Sequence, residues 1–272
     1  MKAIIVTIIA TLISAAVAGS INFFITAREK RKGAVSRKKV ALQFVICWLV
    51  LFILGGVVYF NIYYHATANA QSYMAGTDEV SVINGKNYYL FDGEGEDTAV
   101  IFYQGAKVDE KAYAGIMMSL AEGGVDAFLV KMPLNMAFMG KNKAESIIEE
   151  NSAYEHWYIA GHSLGGAMAG IFAGQHPELL DGIIFLASYS TMPISDELKV
   201  VSIVASEDKV LKWDVYYANS KNLPEDAEEI MIEGGNHSQF GDYGFQKGDG
   251  EAAISMEEQQ SIVTQTILDM VR

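Results

Sequence analysis

The chain has 272 residues, enough for one large domain or two small ones, and 51% of them are apolar. Residues after position 40 include 12 basic and 32 acidic side chains, and a surface with that excess of negative charge repels nucleic-acid backbones, so no nucleic-acid partner is expected. Cys47 is the only cysteine, which excludes intrachain disulfides and a Cys/His zinc cluster.

Two apolar stretches without a charged residue open the sequence, at about 3–27 and 40–64. Each has the roughly 20 residues that are needed to cross the hydrocarbon core of a bilayer. The loop between them, 28–39, has seven basic residues among twelve, and short basic loops stay in the cytoplasm. The sequence therefore predicts a two-helix membrane anchor over residues 1–64. The anchor contacts the lipid bilayer, and both termini and the rest of the chain lie outside the cytoplasm.

The same residues permit three other interpretations. The first stretch could be a cleaved signal peptide, because Ala16-Val17-Ala18 resembles an Ala-x-Ala cleavage site. The hairpin could have the opposite orientation, which would leave the rest of the chain in the cytoplasm. Finally, both stretches could be core helices of a soluble protein.

Residues 65–78 are polar and rich in small side chains, which predicts a short tether. From 79 to 272 the pattern alternates between strands and helices. This alternation predicts an α/β domain with a mostly parallel central sheet flanked by helices, and with its loops gathered at one rim. Strands are predicted at 80–83, 88–91, 98–103, 125–131, 156–160, 182–187, 200–205 and 229–232, and helices at 111–122, 144–151, 165–175, 212–221 and 256–271.

The pattern Gly161-His162-Ser163-Leu164-Gly165 lies between a predicted strand and a predicted helix of small residues. A sharp strand-to-helix turn of this kind exposes its central serine in strained backbone geometry. Gly161 and Gly165 are needed because side chains there would collide across the turn. The positive end of the following helix suits a developing oxyanion, so Ser163 is the candidate nucleophile. The alternative is a glycine-rich turn with an incidental serine.

A serine hydroxyl is a weak nucleophile until a base accepts its proton. Of the five histidines, only His237 lies in a loop after a late strand, where it can return to the rim that carries Ser163. His162 lies inside the turn itself, and its side chain is expected to point away from the base position. His237 is therefore the predicted base.

The acid that orients this base should follow the strand at 200–205. Asp208 is the first candidate and Glu207 is its near rival, whereas Asp214 falls in the following helix. The loop after the strand at 98–103 contains Gly105, which allows close backbone approach. We predict that the N–H groups of Ala106 and Leu164 form an oxyanion hole, and the alternative for the loop is an ordinary strand–helix turn.

Four segments together resemble the α/β-hydrolase superfamily, in particular bacterial α/β-hydrolases of the fold-5 type that are related to dienelactone hydrolases. The order Ser163, Asp208, His237 is also the order found in that superfamily. The resemblance spans nearly all of residues 80–272 and implies an esterase-like activity without a metal or organic cofactor. The segments are Tyr103-Gln104-Gly105-Ala106, 161–166, Ser206-Glu207-Asp208 and 234–241.

This chain departs from the family pattern at two places. Many members have His-Gly or Pro-Gly where this chain has Gln104-Gly105. Dienelactone hydrolases have a cysteine nucleophile where this chain has Ser163, so their substrate is not carried over.

The expected function is a membrane-anchored serine hydrolase that cleaves a small-molecule or envelope-associated carboxylic ester. Only about ten residues join the strands ending near 187 and starting near 200, where larger family members insert a lid, so an open site is expected. Two alternatives remain. One is an acyltransferase that uses the same three residues, and the other is a membrane-tethered binding or scaffold protein without catalysis.

Overall fold

The computed structural model describes residues 2–31, 33–95 and 97–272, with side chains from residue 10 onward. Lys32, which belongs to the predicted basic loop, lies outside the described residues. The chain divides into two compact units, Met1–Ile62 and Tyr63–Arg272.

The N-terminal unit consists of two long helices, α1 (Lys2–Lys30) and α2 (Arg37–Asn61). The segments Ala10–Lys30 and Arg37–Asn61 are long and apolar enough to cross a membrane. Polar contacts between the helices include a hydrogen bond of 3.1 Å from Trp48 Nε1 to Ser14 Oγ. Two long apolar helices therefore open the chain, as the sequence predicts.

In the second unit the described residues form an eight-stranded sheet with the order β1-β2-β4-β3-β5-β6-β7-β8. The pairs β1–β2 and β2–β4 are antiparallel, and every other pair is parallel. The predicted mostly parallel sheet is thus confirmed. The strands are β1 (Ser81–Asn84), β2 (Tyr88–Asp92), β3 (Thr98–Tyr103), β4 (Asp126–Val130), β5 (His156–His162), β6 (Gly182–Leu186), β7 (Lys199–Ala205) and β8 (Glu228–Ile232).

Helices cover both faces of this sheet, because successive side chains of a strand point to opposite faces and both sets are apolar. On β3, Val100 and Phe102 belong to one core cluster, and Ile101 and Tyr103 belong to the other. The first cluster includes side chains of α4 (Ala114–Glu122) and α8 (Met256–Val271), and the second includes side chains of α5 (Lys143–Glu150) and α6 (Leu164–Gln175). A smaller cluster lies at α7 (Trp213–Asn219).

The segment 65–78, expected to be a tether, is instead packed into the second unit. It contains a short helix, α3 (Ala68–Ser72), whose N-cap residue Thr67 accepts a hydrogen bond from the backbone of Ala70. Ala66 and Ala70 are buried against the core, and the Thr67 N–H donates to Asp242 O at 3.0 Å. Small side chains, which are typical of linkers, also permit a segment to pack closely against a core, as Ala66 and Ala70 do here.

We predict that Ala70→Asp destabilises the second unit while Ala68→Asp does not. Ala70 is fully buried, so a carboxylate there loses its hydration, whereas Ala68 is exposed in the first turn of the same helix. The expected cost for Ala70→Asp is about 3 kcal/mol, or roughly 6–12 °C in Tm. Thermal unfolding of the full chain in detergent measures both variants. Equal melting temperatures would show that 65–78 is a free tether after all.

Candidate active site

Ser163 lies at a sharp turn between β5 and α6. Its backbone has φ 53° and ψ −120°, a conformation that is strained for a residue with a side chain. The turn is held by the Ser163 N–H, which donates to Leu186 O at 2.9 Å, and by the Ser188 hydroxyl, which donates to Ser163 O at 2.7 Å. Ser163 itself is only half-buried, in contrast to Gly161 and His162 before it, which are buried.

Two glycines make this turn possible. A Cβ on Gly161 would lie 2.6 Å from the carbonyl carbon of Gly165, and a Cβ on Gly165 would lie 2.1 Å from the backbone oxygen of Tyr103. Neither position has room for any side chain. The absence of these side chains brings the start of α6 directly against the end of β3, where the candidate oxyanion loop begins.

Asp208 and His237 form a direct hydrogen bond at the same rim. His237 Nδ1 lies 2.7 Å from Asp208 Oδ2, and both residues are buried. The other carboxylate oxygen, Oδ1, accepts from the N–H groups of Val210 at 2.8 Å and Leu211 at 2.7 Å. These donors favour an ionised carboxylate that accepts the Nδ1 proton, which leaves Nε2 of His237 free to act as a base.

The rival acids lie elsewhere. Glu207 is half-buried, and its backbone N–H donates to Gly235 O at 2.9 Å, while Asp214 is exposed in the first turn of α7. The structure therefore places Asp208, and neither of the other two carboxylates, against His237.

His162 connects the turn to His237, contrary to the expectation that it points away from the base position. The ring centroids of His162 and His237 are 4.5 Å apart. The reason is the alternation along β5, because Tyr158 and Ala160 face the α4 side of the sheet and His162 continues that series. No hydrogen bond joins Ser163 to His237 among the described residues, and in hydrolytic sites this contact is often long before substrate binds.

The candidate oxyanion donors lie on two adjacent segments, since Ala106 follows β3 and Leu164 begins α6. Within the described chain, neither N–H donates to a protein acceptor. The neighbouring N–H groups are engaged: Gly105 donates to Tyr113 Oη at 3.0 Å, and Lys107 donates to Asn135 O at 2.8 Å. The loop is thus fixed on both sides of Ala106 and leaves that N–H available.

Asp249 is a buried residue of this region that sequence reasoning missed. Its carboxylate accepts from the Ser238 N–H at 2.8 Å, from the Ser238 hydroxyl at 2.6 Å and from the Lys209 N–H at 3.3 Å. It therefore ties the loop that carries Asp208 to the loop that carries His237. The only signal in the sequence is its place between two glycines, which by itself indicates a turn.

The remaining histidines lie away from this rim. His156 contacts Asp181 at 3.3 Å at the start of β5, and His176 contacts Glu178 at 3.6 Å after α6. The ring of His65 packs against Tyr63. In the part of the chain that the structure describes, no group of three or more His, Cys, Asp or Glu side chains is placed to hold a metal ion.

Comparison with known proteins agrees with this architecture. A family model described as "Alpha/beta hydrolase family" matches residues 99–261, a range that contains Ala106, Ser163, Asp208 and His237. No curated protein matches the sequence significantly.

Solved structures with a similar fold are found among lipases, esterases and dienelactone hydrolases. They include a monoacylglycerol lipase from Paleococcus ferrophilus, with a TM-score of 0.53, 14% identity, and coverage of 71% of this chain and 99% of that one. A dienelactone hydrolase from Anabaena variabilis has a TM-score of 0.51, 12% identity, and coverage of 71% and 97%. A carboxyl esterase 2 from Tuber melanosporum has a TM-score of 0.52, 10% identity, and coverage of 78% and 92%. At these identities the likeness shows the fold alone.

Proposed function

Because this chain belongs to the α/β-hydrolase family, we propose that it is a serine hydrolase that cleaves carboxylic esters. The observation that carries the proposal is the buried hydrogen bond of 2.7 Å between Asp208 and His237 at the rim where Ser163 is held in a strained turn. An acid, a base and a serine hydroxyl at one rim are what acyl transfer requires. A binding module has no need of all three.

In the proposed reaction the Ser163 oxygen attacks the ester carbonyl and His237 Nε2 accepts its proton. Asp208 holds the imidazole in the required tautomer and stabilises the imidazolium. The tetrahedral oxyanion accepts hydrogen bonds from the N–H groups of Ala106 and Leu164. His237 then protonates the leaving alcohol, and water releases the acid from the acyl-enzyme by the same steps.

An apolar lip beside the oxyanion loop supports an ester with an apolar acyl chain. The lip consists of Leu134, Phe138 and Met139, whose side chains are 47%, 50% and 47% exposed. It is linked to the oxyanion loop through the Lys107 N–H, which donates to Asn135 O. Leu134 and Asn135 both have positive φ, and such strain is concentrated at binding sites.

We also propose that the chain is a two-pass membrane protein with its catalytic unit outside the cytoplasm. The two N-terminal helices have the required length and apolar composition. The basic residues in the loop between them favour a cytoplasmic loop. With the apolar lip, this location favours acylated lipids or acylated envelope components as substrates.

We predict that Ser163→Ala abolishes labelling by a fluorophosphonate probe and lowers ester hydrolysis by several orders of magnitude. Asp208→Asn should lower kcat by about 10³-fold or more, because the imidazole loses its orienting acceptor. Glu207→Gln is the matched control and should stay within about twofold of the wild type, because the Glu207 side chain makes no hydrogen bond to His237 among the described residues. Probe labelling and a panel of soluble esters measure all three variants.

These outcomes separate the possible functions. A wild-type chain that is inert to the probe would favour a scaffold and overturn the proposal. Full activity in Ser163→Ala would exclude this serine as the nucleophile. A labelled wild type with poor hydrolysis of every ester would point to acyl transfer to an acceptor other than water.

We predict that Leu134→Ser and Phe138→Ser, made together, shift the acyl preference toward short chains. Each buried methylene contributes about 0.8 kcal/mol, so losing the burial of one or two methylenes should lower the ratio of kcat/KM for octanoyl over acetyl esters by about 4- to 15-fold. Ile83→Ser is the control, because Ile83 is also 47% exposed but lies on β1 at the edge of the sheet. An unchanged ratio in the double variant would exclude the lip as the acyl site.

We predict that protease added to intact cells digests the region 80–272 without permeabilisation. Cells with an outer membrane should be converted to spheroplasts first. A tag inserted in the basic loop 28–39 should be protected until the membrane is opened. The reverse pattern, with 80–272 protected and the loop tag digested, would show the opposite orientation.

A further inference from the structure

His162 and Tyr113 form a buried hydrogen-bond chain beneath the candidate site. The Gly105 N–H donates to Tyr113 Oη at 3.0 Å, and Tyr113 Oη lies 2.8 Å from His162 Nδ1. Tyr113 is completely buried and His162 is 1% exposed. The proposed acyl-transfer chemistry uses neither side chain.

The Tyr113 oxygen is the middle member of this chain. It accepts from the Gly105 N–H, and a single proton joins Tyr113 Oη to His162 Nδ1, with the imidazole tautomer setting which of the two donates. Burial, and secondarily the proximity of His237, hold the pKa of His162 well below its usual range, so the ring stays neutral.

The two ends of this chain lie on the two segments that supply the candidate oxyanion donors. Gly105 immediately precedes Ala106, and His162 lies in the turn two residues before Leu164. Gly105 also has no room for a side chain, because a Cβ there would lie 2.9 Å from His162 Nδ1 and 3.0 Å from Tyr113 Oη. A tyrosine hydroxyl and an imidazole thus bridge the two segments.

His162 also supports the base directly. Its ring packs against the ring of His237 at 4.5 Å and against Phe240 at 5.5 Å. A displaced His162 would therefore disturb both the oxyanion loop and the orientation of the imidazole whose Nε2 accepts the serine proton.

We propose that Tyr113 and His162 are positioning residues that hold the Ala106 N–H in register with the Leu164 N–H. This inference rests on the proposed function, since it concerns the oxyanion hole of that reaction. An oxyanion donor stabilises the transition state only when it lies about 2.7–3.1 Å from the developing charge. Tyr113 and His162 therefore act on kcat through the loop, without contacting the substrate.

The loop has other attachments, so variants of this chain should still fold. Tyr64 pairs with it through two backbone hydrogen bonds of 2.8 Å, from the Tyr64 N–H to Lys107 O and from the Asp109 N–H to Tyr64 O. Tyr113→Phe removes one oxygen only. His162→Asn keeps an amide, which can accept or donate, close to the position of Nδ1, whereas His162→Leu removes every polar atom there.

The test compares these three variants, and the double variant Tyr113→Phe/His162→Leu, in the full chain. Three quantities are measured: kcat and KM on a soluble ester, the affinity for a trifluoromethyl ketone, and Tm. The ketone forms a reversible adduct in which Ser163 Oγ bonds to the carbonyl carbon, His237 receives the serine proton, and the carbonyl oxygen becomes an oxyanion. It therefore reports on the oxyanion hole without turnover.

We expect Tyr113→Phe and His162→Leu to lower kcat by about 10- to 100-fold. This decrease is smaller than the decrease in kcat that follows removal of a whole oxyanion donor, and KM should stay within about threefold of the wild-type value. Ketone affinity should fall by the same factor as kcat/KM. His162→Asn should stay within about fivefold of the wild type, and the double variant should be no worse than the poorer single variant, because both substitutions break one chain.

Three results would overturn the inference while leaving the proposed function intact. The first is an unchanged kcat in Tyr113→Phe and His162→Leu. The second is a loss of ester hydrolysis with unchanged affinity for the ketone. The third is a kcat as low in His162→Asn as in His162→Leu when the two variants have equal Tm. A wild-type chain that neither hydrolyses esters nor binds the ketone would overturn the proposed function and this inference with it.

Discussion

The conversion of β5 into α6 within a single residue is the constraint on which the rest of the site depends. Ser163 takes a positive φ to make this turn, and the cost is offset by hydrogen bonds from its N–H to Leu186 O and from Ser188 Oγ to its carbonyl. The turn works only if α6 can start against β3, which is why Gly165 has no side chain. One piece of backbone thus fixes the hydroxyl, the helix N-terminus and the neighbouring loop.

Strand order explains how the other groups reach this turn. Asp208 follows β7 and His237 follows β8, and β6 alone separates β7 from β5. Burying a carboxylate is costly unless its oxygens are hydrogen-bonded, and here both oxygens of Asp208 are engaged. Asp249 then joins the two loops beyond these residues. Burial would disfavour the ionised form of a carboxylate without partners. Here it holds Asp208 and His237 in one orientation, because the carboxylate has hydrogen-bond donors on both oxygens.

The sequence predicts the strands, the serine turn and the order of the three candidate residues, because these features depend on local patterns. Apolar runs mark β3, β6 and β7, and glycines flank Ser163. Contacts between distant segments could not be predicted in the same way. The packing of 65–78 and the role of Asp249 depend on residues more than 30 positions away in the chain or on loops of irregular shape. His162 is an intermediate case, because strict alternation along β5 would have placed it correctly.

The oxyanion loop depends both on a local sequence pattern and on contacts between distant segments. Its glycine is visible in the sequence, but its position is set by Tyr64, Tyr113 and Asn135, which come from three separate segments. These hydrogen bonds constrain the backbone of the loop. We therefore expect selectivity in the proposed reaction to depend on side chains that the scaffold leaves exposed. The apolar lip is one such group, since it is attached to the rigid loop through Asn135 while its side chains remain free to contact an acyl chain.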